Sequence, residues 1–130
     1  MTSTVDYTPT EIRLQTRSRQ LVITFDDGSR FELPFEFLRV MSPSAEVQGH
    51  GPGQGVLQVG KENVQVTAIE PVGHYAVRLV FDDGHDTGLY TWKYLYELGA
   101  GQQQKWRHYL DQLKAAGYAR QPVSDSASDD

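Results

Sequence analysis

ITFDDGSRFELPFEFLR, residues 23–39, stands against RLVFDDGHDTGLYTWKYLY, residues 78–96. Phe25, Asp26, Asp27 and Gly28 recur as Phe81, Asp82, Asp83 and Gly84 at a constant offset of 56. Leu33 matches Leu89 at that offset, and Phe37-Leu38 matches Tyr94-Leu95 after one inserted residue. Asp-Gly suits a tight hairpin corner, because glycine meets no Cβ clash at positive φ and Asp tolerates that region. The repeat predicts an internal duplication of strand, Asp-Asp-Gly corner, strand and short helix.

Around this unit the remaining elements follow. EIRLQ (11–15) alternates apolar and polar residues, and LVITF (21–25) is rich in β-branched ones, so both read as strands. RFEL (30–33) is the return strand, and Pro34 suits the first turn of a short helix, PFEFLRV. VLQVG (56–60), VQVTAIEPVG (64–73) and YAVRLVF (75–81) supply further strand. Thr91 is placed to cap a second short helix, with Trp92, Leu95 and Tyr96 toward the core. A last helix spans roughly 102–116, carrying Trp106, Tyr109, Leu110, Leu113 and Ala116 at helical spacing, with Gly117 as its stop. The expected fold is α+β, a mostly antiparallel sheet with two short helices and one C-terminal helix. Residues 1–9 read as a flexible arm, 10–118 as one domain and 119–130 as a disordered acidic tail.

The chain has 130 residues, the size of one ordinary domain, and no cysteine. That excludes disulfides, thiolate nucleophiles and thiolate metal sites, and fits a reducing, cytoplasmic setting. MTSTVDYTPTEIR lacks the basic-then-apolar order of a secretory signal, and no apolar run suits a membrane span. The net charge is −5, with Asp125, Asp129 and Asp130 in the last six residues. Basic residues are scattered, the densest group being Arg13, Arg17 and Arg19, so a nucleic-acid backbone is a poor partner.

No complete catalytic set is present. There is no G-x-S-x-G and no phosphate loop of the G-x-x-x-x-G-K-[ST] type, and HGPGQG lacks the lysine. The Asp pairs are accounted for by their corners. Among the histidines, His74 and His108 read as surface residues. His50, in the long Gly-rich stretch SPSAEVQGHGPGQG (42–55), and His85, after the second corner, are the more informative pair. With Glu46 or Asp86 they compose a conceivable iron or zinc set.

LPFEFLRVMSPSAEVQGHGPGQ (33–54), LQVGKENVQVTAIEPVGHYAVRLVFDDGHDTGLYTWKYLYEL (57–98) and the first corner together resemble the domain of unknown function 971 family. It is also called gamma-butyrobetaine hydroxylase-like N-terminal, and the likeness covers about residues 10–100. The resemblance implies an accessory domain, found in gamma-butyrobetaine and trimethyllysine dioxygenases outside the catalytic barrel. There it holds a structural zinc through Cys-x-Cys-x-x-Cys after a Leu-Arg pair, plus a histidine. On this chain those positions carry Ser42, Ser44, Val47 and His85, which implies loss of the zinc site. The resemblance also implies association with P-loop ATPases that carry iron–sulfur clusters, and so an adaptor that binds such a carrier or its client. Such a module is not an enzyme, the alternative being a domain accessory to an oxidoreductase, and it needs no cofactor. Its expected partner-binding residues are Ser42, Ser44, Glu46, His50, Gln54, Tyr90 and Trp92. The metal alternative uses His85, His50 and Asp86.

Overall fold

In the computed structural model, which describes residues 7–49 and 55–121, LVITF is paired on both sides. Strand β2 (Gln20–Phe25) lies between β1 (Pro9–Gln15) and β3 (Arg30–Pro34), all antiparallel. Strand β5 (Ala76–Phe81) lies likewise between β4 (Val66–Val72) and β6 (Leu89–Thr91). The expected single sheet is therefore two three-stranded sheets, one per repeat. Each is followed by a helix, α1 (Phe35–Val40) and α3 (Trp92–Ala100), and α4 (Gln102–Ala115) closes the chain. One apolar core draws on both repeats, with Leu21, Phe25, Phe35 and Leu38 from the first and Leu79, Phe81, Tyr90 and Leu95 from the second.

The two corners are alike bond for bond. Phe25 N–H donates to the Ser29 carbonyl at 2.8 Å, and Phe81 N–H to the His85 carbonyl at 2.9 Å. Asp27 Oδ1 accepts from Ser29 N–H at 2.8 Å, and Asp83 Oδ1 from His85 N–H at 3.2 Å. Gly28 and Gly84 hold φ of 88° and 91°. The likeness extends one strand further upstream than the sequence comparison reached. The pairing slips by one residue between Pro9 and Glu11, and again between Val66 and Ala68, so each repeat contains a bulged first strand.

Sheet register also corrects the match at the return strand. Leu33 pairs with Leu21, and Tyr90 with Val77, so Tyr90 is the counterpart of Leu33. Tyr90 is wholly buried, whereas Leu89 is 41% exposed. The inserted residue therefore lies in the Asp86–Gly88 connection, before β6.

A reciprocal tie joins the repeats. Tyr96, on α3, donates to Asp27 Oδ2 of the first corner at 2.7 Å. Arg39, at the equivalent place on α1, donates through Nε to Asp83 Oδ2 of the second corner at 2.9 Å.

Other expectations shift. VLQVG forms no strand. Leu57 and Val59 pack instead beside Val40, Tyr109 and Leu113 under α4. The 42–55 stretch contains a short helix, α2 (Ala45–Gln48), capped by Ser44. Thr91 caps α3, its hydroxyl accepting from Tyr94 N–H at 3.0 Å. After α4, Gly117 and Tyr118 N–H groups bond back to the Lys114 and Leu113 carbonyls, the double closure of a Schellman stop. Leu110 and Ala116 face outward rather than into the core. At the ends, Tyr7 packs on Tyr96 with ring centroids 4.7 Å apart, and Arg120 and Gln121 bind Glu36 and Glu62. Residues 7, 120 and 121 thus contact the domain, while 1–6 and 122–130 lie outside the described residues.

A Cβ at Gly28 or Gly84 would meet open space, so the cost of alanine there is purely that of the backbone conformation. Gly28→Ala and Gly84→Ala should each destabilise the chain by about 1–2 kcal/mol in urea denaturation. A loss at one corner only would contradict their equivalence.

Candidate functional site

The Arg39–Asp83 tie fixes the end of α1, and the chain turns there into the 42–49 segment. Ser42 N–H bonds to the Arg39 carbonyl at 3.3 Å, and Ser42 Oγ accepts from Ser44 N–H at 3.2 Å. Ser44 Oγ accepts from Glu46 N–H at 3.1 Å, starting α2. Gln48 returns a side-chain N–H to the Ser42 carbonyl at 2.8 Å. Local hydrogen bonds thus coil the segment on itself.

Three contacts dock it onto the second hairpin. Ser42 Oγ is 2.8 Å from His85 Nε2, His85 Nδ1 is 3.0 Å from Glu46 Oε1, and Ser44 Oγ is 2.7 Å from Thr87 Oγ1. An ionised carboxylate only accepts, so Nδ1 carries the proton and Nε2 accepts from the Ser42 hydroxyl. The approach is close: a Cβ at Gly88 would fall 2.5 Å from Ser42 Oγ. Below the cluster, Tyr90 OH donates to the Leu38 carbonyl at 2.6 Å.

The electrostatics follow from burial. His85 is held below its ordinary pKa of 6.5 chiefly by burial, then by Arg39 beside it, against opposition from Glu46. Burial alone would raise Asp83, but hydrogen bonds from Lys61 Nζ at 2.7 Å, Arg39 Nε and the His85 amide outweigh it and bring it to about 2. Arg39 Nη1 is buried with no hydrogen-bond partner among the described residues.

Hydroxyl, imidazole and carboxylate thus stand in the order of a nucleophilic triad. Ser42 is 0% exposed and His85 4%, so no substrate reaches the hydroxyl in this conformation. The arrangement works as a bolt between two segments.

The sequence-derived residues divide accordingly. Ser42, Ser44, Glu46 and His85 come together. Of these four only Glu46, its side chain 62% exposed, is open to solvent. Tyr90 and Ser42 are wholly enclosed and Ser44 nearly so, which corrects their expected place on a contact surface. Trp92 lies in a separate cleft with Tyr7, His74 and Tyr75, its indole N–H donating to the His74 carbonyl at 2.8 Å. Asp86 is turned to Arg78 at 3.2 Å. His50 and Gln54 lie outside the described residues. Arg39, Lys61 and Thr87 were not singled out by sequence, and Asp83 was read only as part of its corner. The one signal for them was the Asp-Asp-Gly repeat itself, which sets Asp83 beside whatever α1 presents.

The donor set does not fit the zinc centre that the family resemblance implies. Val47 offers no side-chain ligand atom and is buried. Ser42 and His85 are in direct hydrogen bond, closer than the roughly 3.3–3.8 Å separating two ligands of a tetrahedral ion. Among the described residues, no three His, Cys, Asp or Glu side chains form a group that could hold a metal.

Residues 12–96 match the family described as gamma-butyrobetaine hydroxylase-like, N-terminal. Two solution NMR structures are similar over nearly the whole chain. One is 54% identical, with a TM-score of 0.79, covering 95% of this chain and 93% of its own. The other is 50% identical, with a TM-score of 0.77, covering 91% and 93%. A crystal structure of a DUF971-family protein of unknown function from Acidithiobacillus ferrooxidans is 44% identical, with a TM-score of 0.60, covering 72% and 93%. No curated protein matches the chain.

The pKa shifts set two pH windows. With His85 lowered in the folded state, stability is full above about pH 6.5 and declines as pH falls below it, because the unfolded chain takes the proton first. His85→Gln should flatten that decline in urea titrations between pH 8 and 5. Asp83 near 2 contributes stability above pH 3.8 that is lost as pH falls toward 2. Asp83→Asn should cost about 2 kcal/mol at pH 7 and progressively less in acid.

Proposed function

The chain belongs to the gamma-butyrobetaine hydroxylase-like N-terminal family, and from that premise we propose that it is a non-enzymatic protein-binding adaptor. Its contact surface is the outer face of the 42–49 segment, centred on Glu46, with the second hairpin beneath. The observation that carries this reading is the bolt itself. The hydroxyls of Ser42 and Ser44 and both nitrogens of the His85 ring each bond across the junction between segment and hairpin, and the well-exposed Glu46 carboxylate lies at its outer edge. A loop so anchored keeps one shape before a partner arrives, which lowers the ordering cost of binding. The partner class follows from the family resemblance: an iron–sulfur carrier ATPase or one of its client proteins. That link rests on association and not on a ligand set in this chain.

The test is a pull-down from native lysate at near-physiological salt, using the full chain, Glu46→Arg and, as a control at the far hairpin end, Arg17→Glu. A specific partner should be retained by the native chain and the control and lost by Glu46→Arg, with all three equally folded by circular dichroism. No specific partner, or retention by Glu46→Arg, contradicts the reading. Metal analysis of untagged protein accompanies it. Content well below one per chain is expected. A stoichiometric iron or zinc lost in His85→Ala would replace the adaptor with a metal-binding protein built on His50 and His85.

A further inference from the structure

Glu36 lies in the first turn of α1 with a side chain only 9% exposed, and its charge is answered by a residue from the far end of the chain. Arg120 Nε donates to Glu36 Oε2 at 2.9 Å, and its Nη2 to Oε1, so the guanidinium spans both carboxylate oxygens. The same guanidinium lies 5.3 Å from the centre of the Trp106 ring. Trp106 is itself held edge-on by Phe37, with centroids 6.2 Å apart. One residue further, Gln121 N–H donates to Glu62 Oε2 at 2.6 Å, and Glu62 is also buried.

A buried carboxylate opposite an aromatic face discriminates among cations. A planar guanidinium satisfies both oxygens and stacks flat on the ring, whereas an ammonium can do only one at a time. The segment that supplies the arginine is otherwise lightly held. It follows the Gly117 stop, and residues 118–121 are all exposed. Beside Arg120, a cavity of about 990 Å³ runs along Pro34, Phe37, residues 99–104 and Arg107. The cavity extends beyond what Arg120 fills, so a longer ligand finds contacts there that the chain's own segment does not use.

We propose that Glu36, Trp106 and Glu62 form a guanidinium-binding site for an arginine-bearing extended segment of a partner protein, and that Arg120 occupies this site in cis. None of its residues belongs to the Ser42–His85 cluster, so it stands apart from the adaptor surface proposed above. Because Arg120 is tethered, it competes at high effective concentration and weakens the binding of short ligands. A partner displaces it by adding contacts along the cavity.

The test follows the indole N–H resonance of Trp106 by NMR, with that of Trp92 as internal control. The probe is the pentapeptide Tyr-Ala-Arg-Gln-Pro, the chain's own residues 118–122. Arg120→Ala empties the site, and Arg120→Lys keeps a cation on Glu36 and with it the fold. In both, the peptide should shift Trp106 saturably. Binding should be roughly tenfold weaker to the native chain, and roughly tenfold weaker for the same peptide with lysine in place of arginine. Glu36→Gln added to Arg120→Lys should abolish the shift. The proposal is overturned by the absence of a saturable shift in Arg120→Lys, by equal response to the arginine and lysine peptides, or by indifference to Glu36→Gln.

Discussion

The second aspartate of each corner is held by a helix belonging to the other repeat. Asp27 takes the Tyr96 hydroxyl and Asp83 takes the Arg39 guanidinium, so neither helix can leave without opening a corner of its neighbour. This crossing, together with the apolar core that both repeats share, makes one domain of two small sheets that share no strand. A three-stranded sheet with one helix buries little surface by itself. Here each corner carries both a turn, through its backbone, and a joint, through its carboxylate.

The two joints differ in kind. At the first, the rings of Tyr7, Phe25 and Phe31 pack tilted or edge-on against Tyr96, and the close approach of Gly99 to Phe31 seals the contact. A Cβ at Gly99 would fall 2.2 Å from the Phe31 ring. At the second, Arg39 stands where Tyr96 stood and His85 where Ser29 stood. A charged helix end and a ring with two hydrogen-bonding nitrogens then attract the following loop. Segment 42–49 docks there because Ser42 comes three residues after Arg39. The first copy is closed by apolar packing, and the second presents an ordered polar segment to its surroundings. The asymmetry between equivalent positions directs the functional reading to the second copy.

Local chemistry was legible in the sequence, and non-local chemistry was not. The Asp-Asp-Gly corners, the Thr91 cap, the course of α4 and its Gly117 stop each depend on residues a few positions apart, and each is where its pattern places it. VLQVG alternates like a strand, yet its apolar side chains are taken up by Tyr109 and Leu113, some fifty residues away. The four residues of α2 are too few to hold a helix by propensity, and stand through Ser44 and the docking to His85 and Thr87. Tyr90 reads as a surface aromatic until its pairing with Val77 turns it inward. Of the site, Ser42, Ser44 and His85 were visible through the family likeness, and Glu46 and His85 through their side-chain chemistry. Their burial, and the role of Arg39 and Asp83 beneath them, depend on contacts across more than forty residues.

The interlock has a direct measure in a double-mutant cycle on Arg39→Met and Asp83→Asn, by urea denaturation at pH 7. The two side chains are 8% and 22% exposed, and the charge-assisted bond between them is 2.9 Å long. A coupling of about 1 kcal/mol is the predicted result, since Lys61 and the His85 amide share the carboxylate, with either single variant also loosening the amides of residues 44–48 in hydrogen exchange. A coupling near zero, with those amides as protected as in the native chain, would show that the second corner does not hold the segment and would contradict the account.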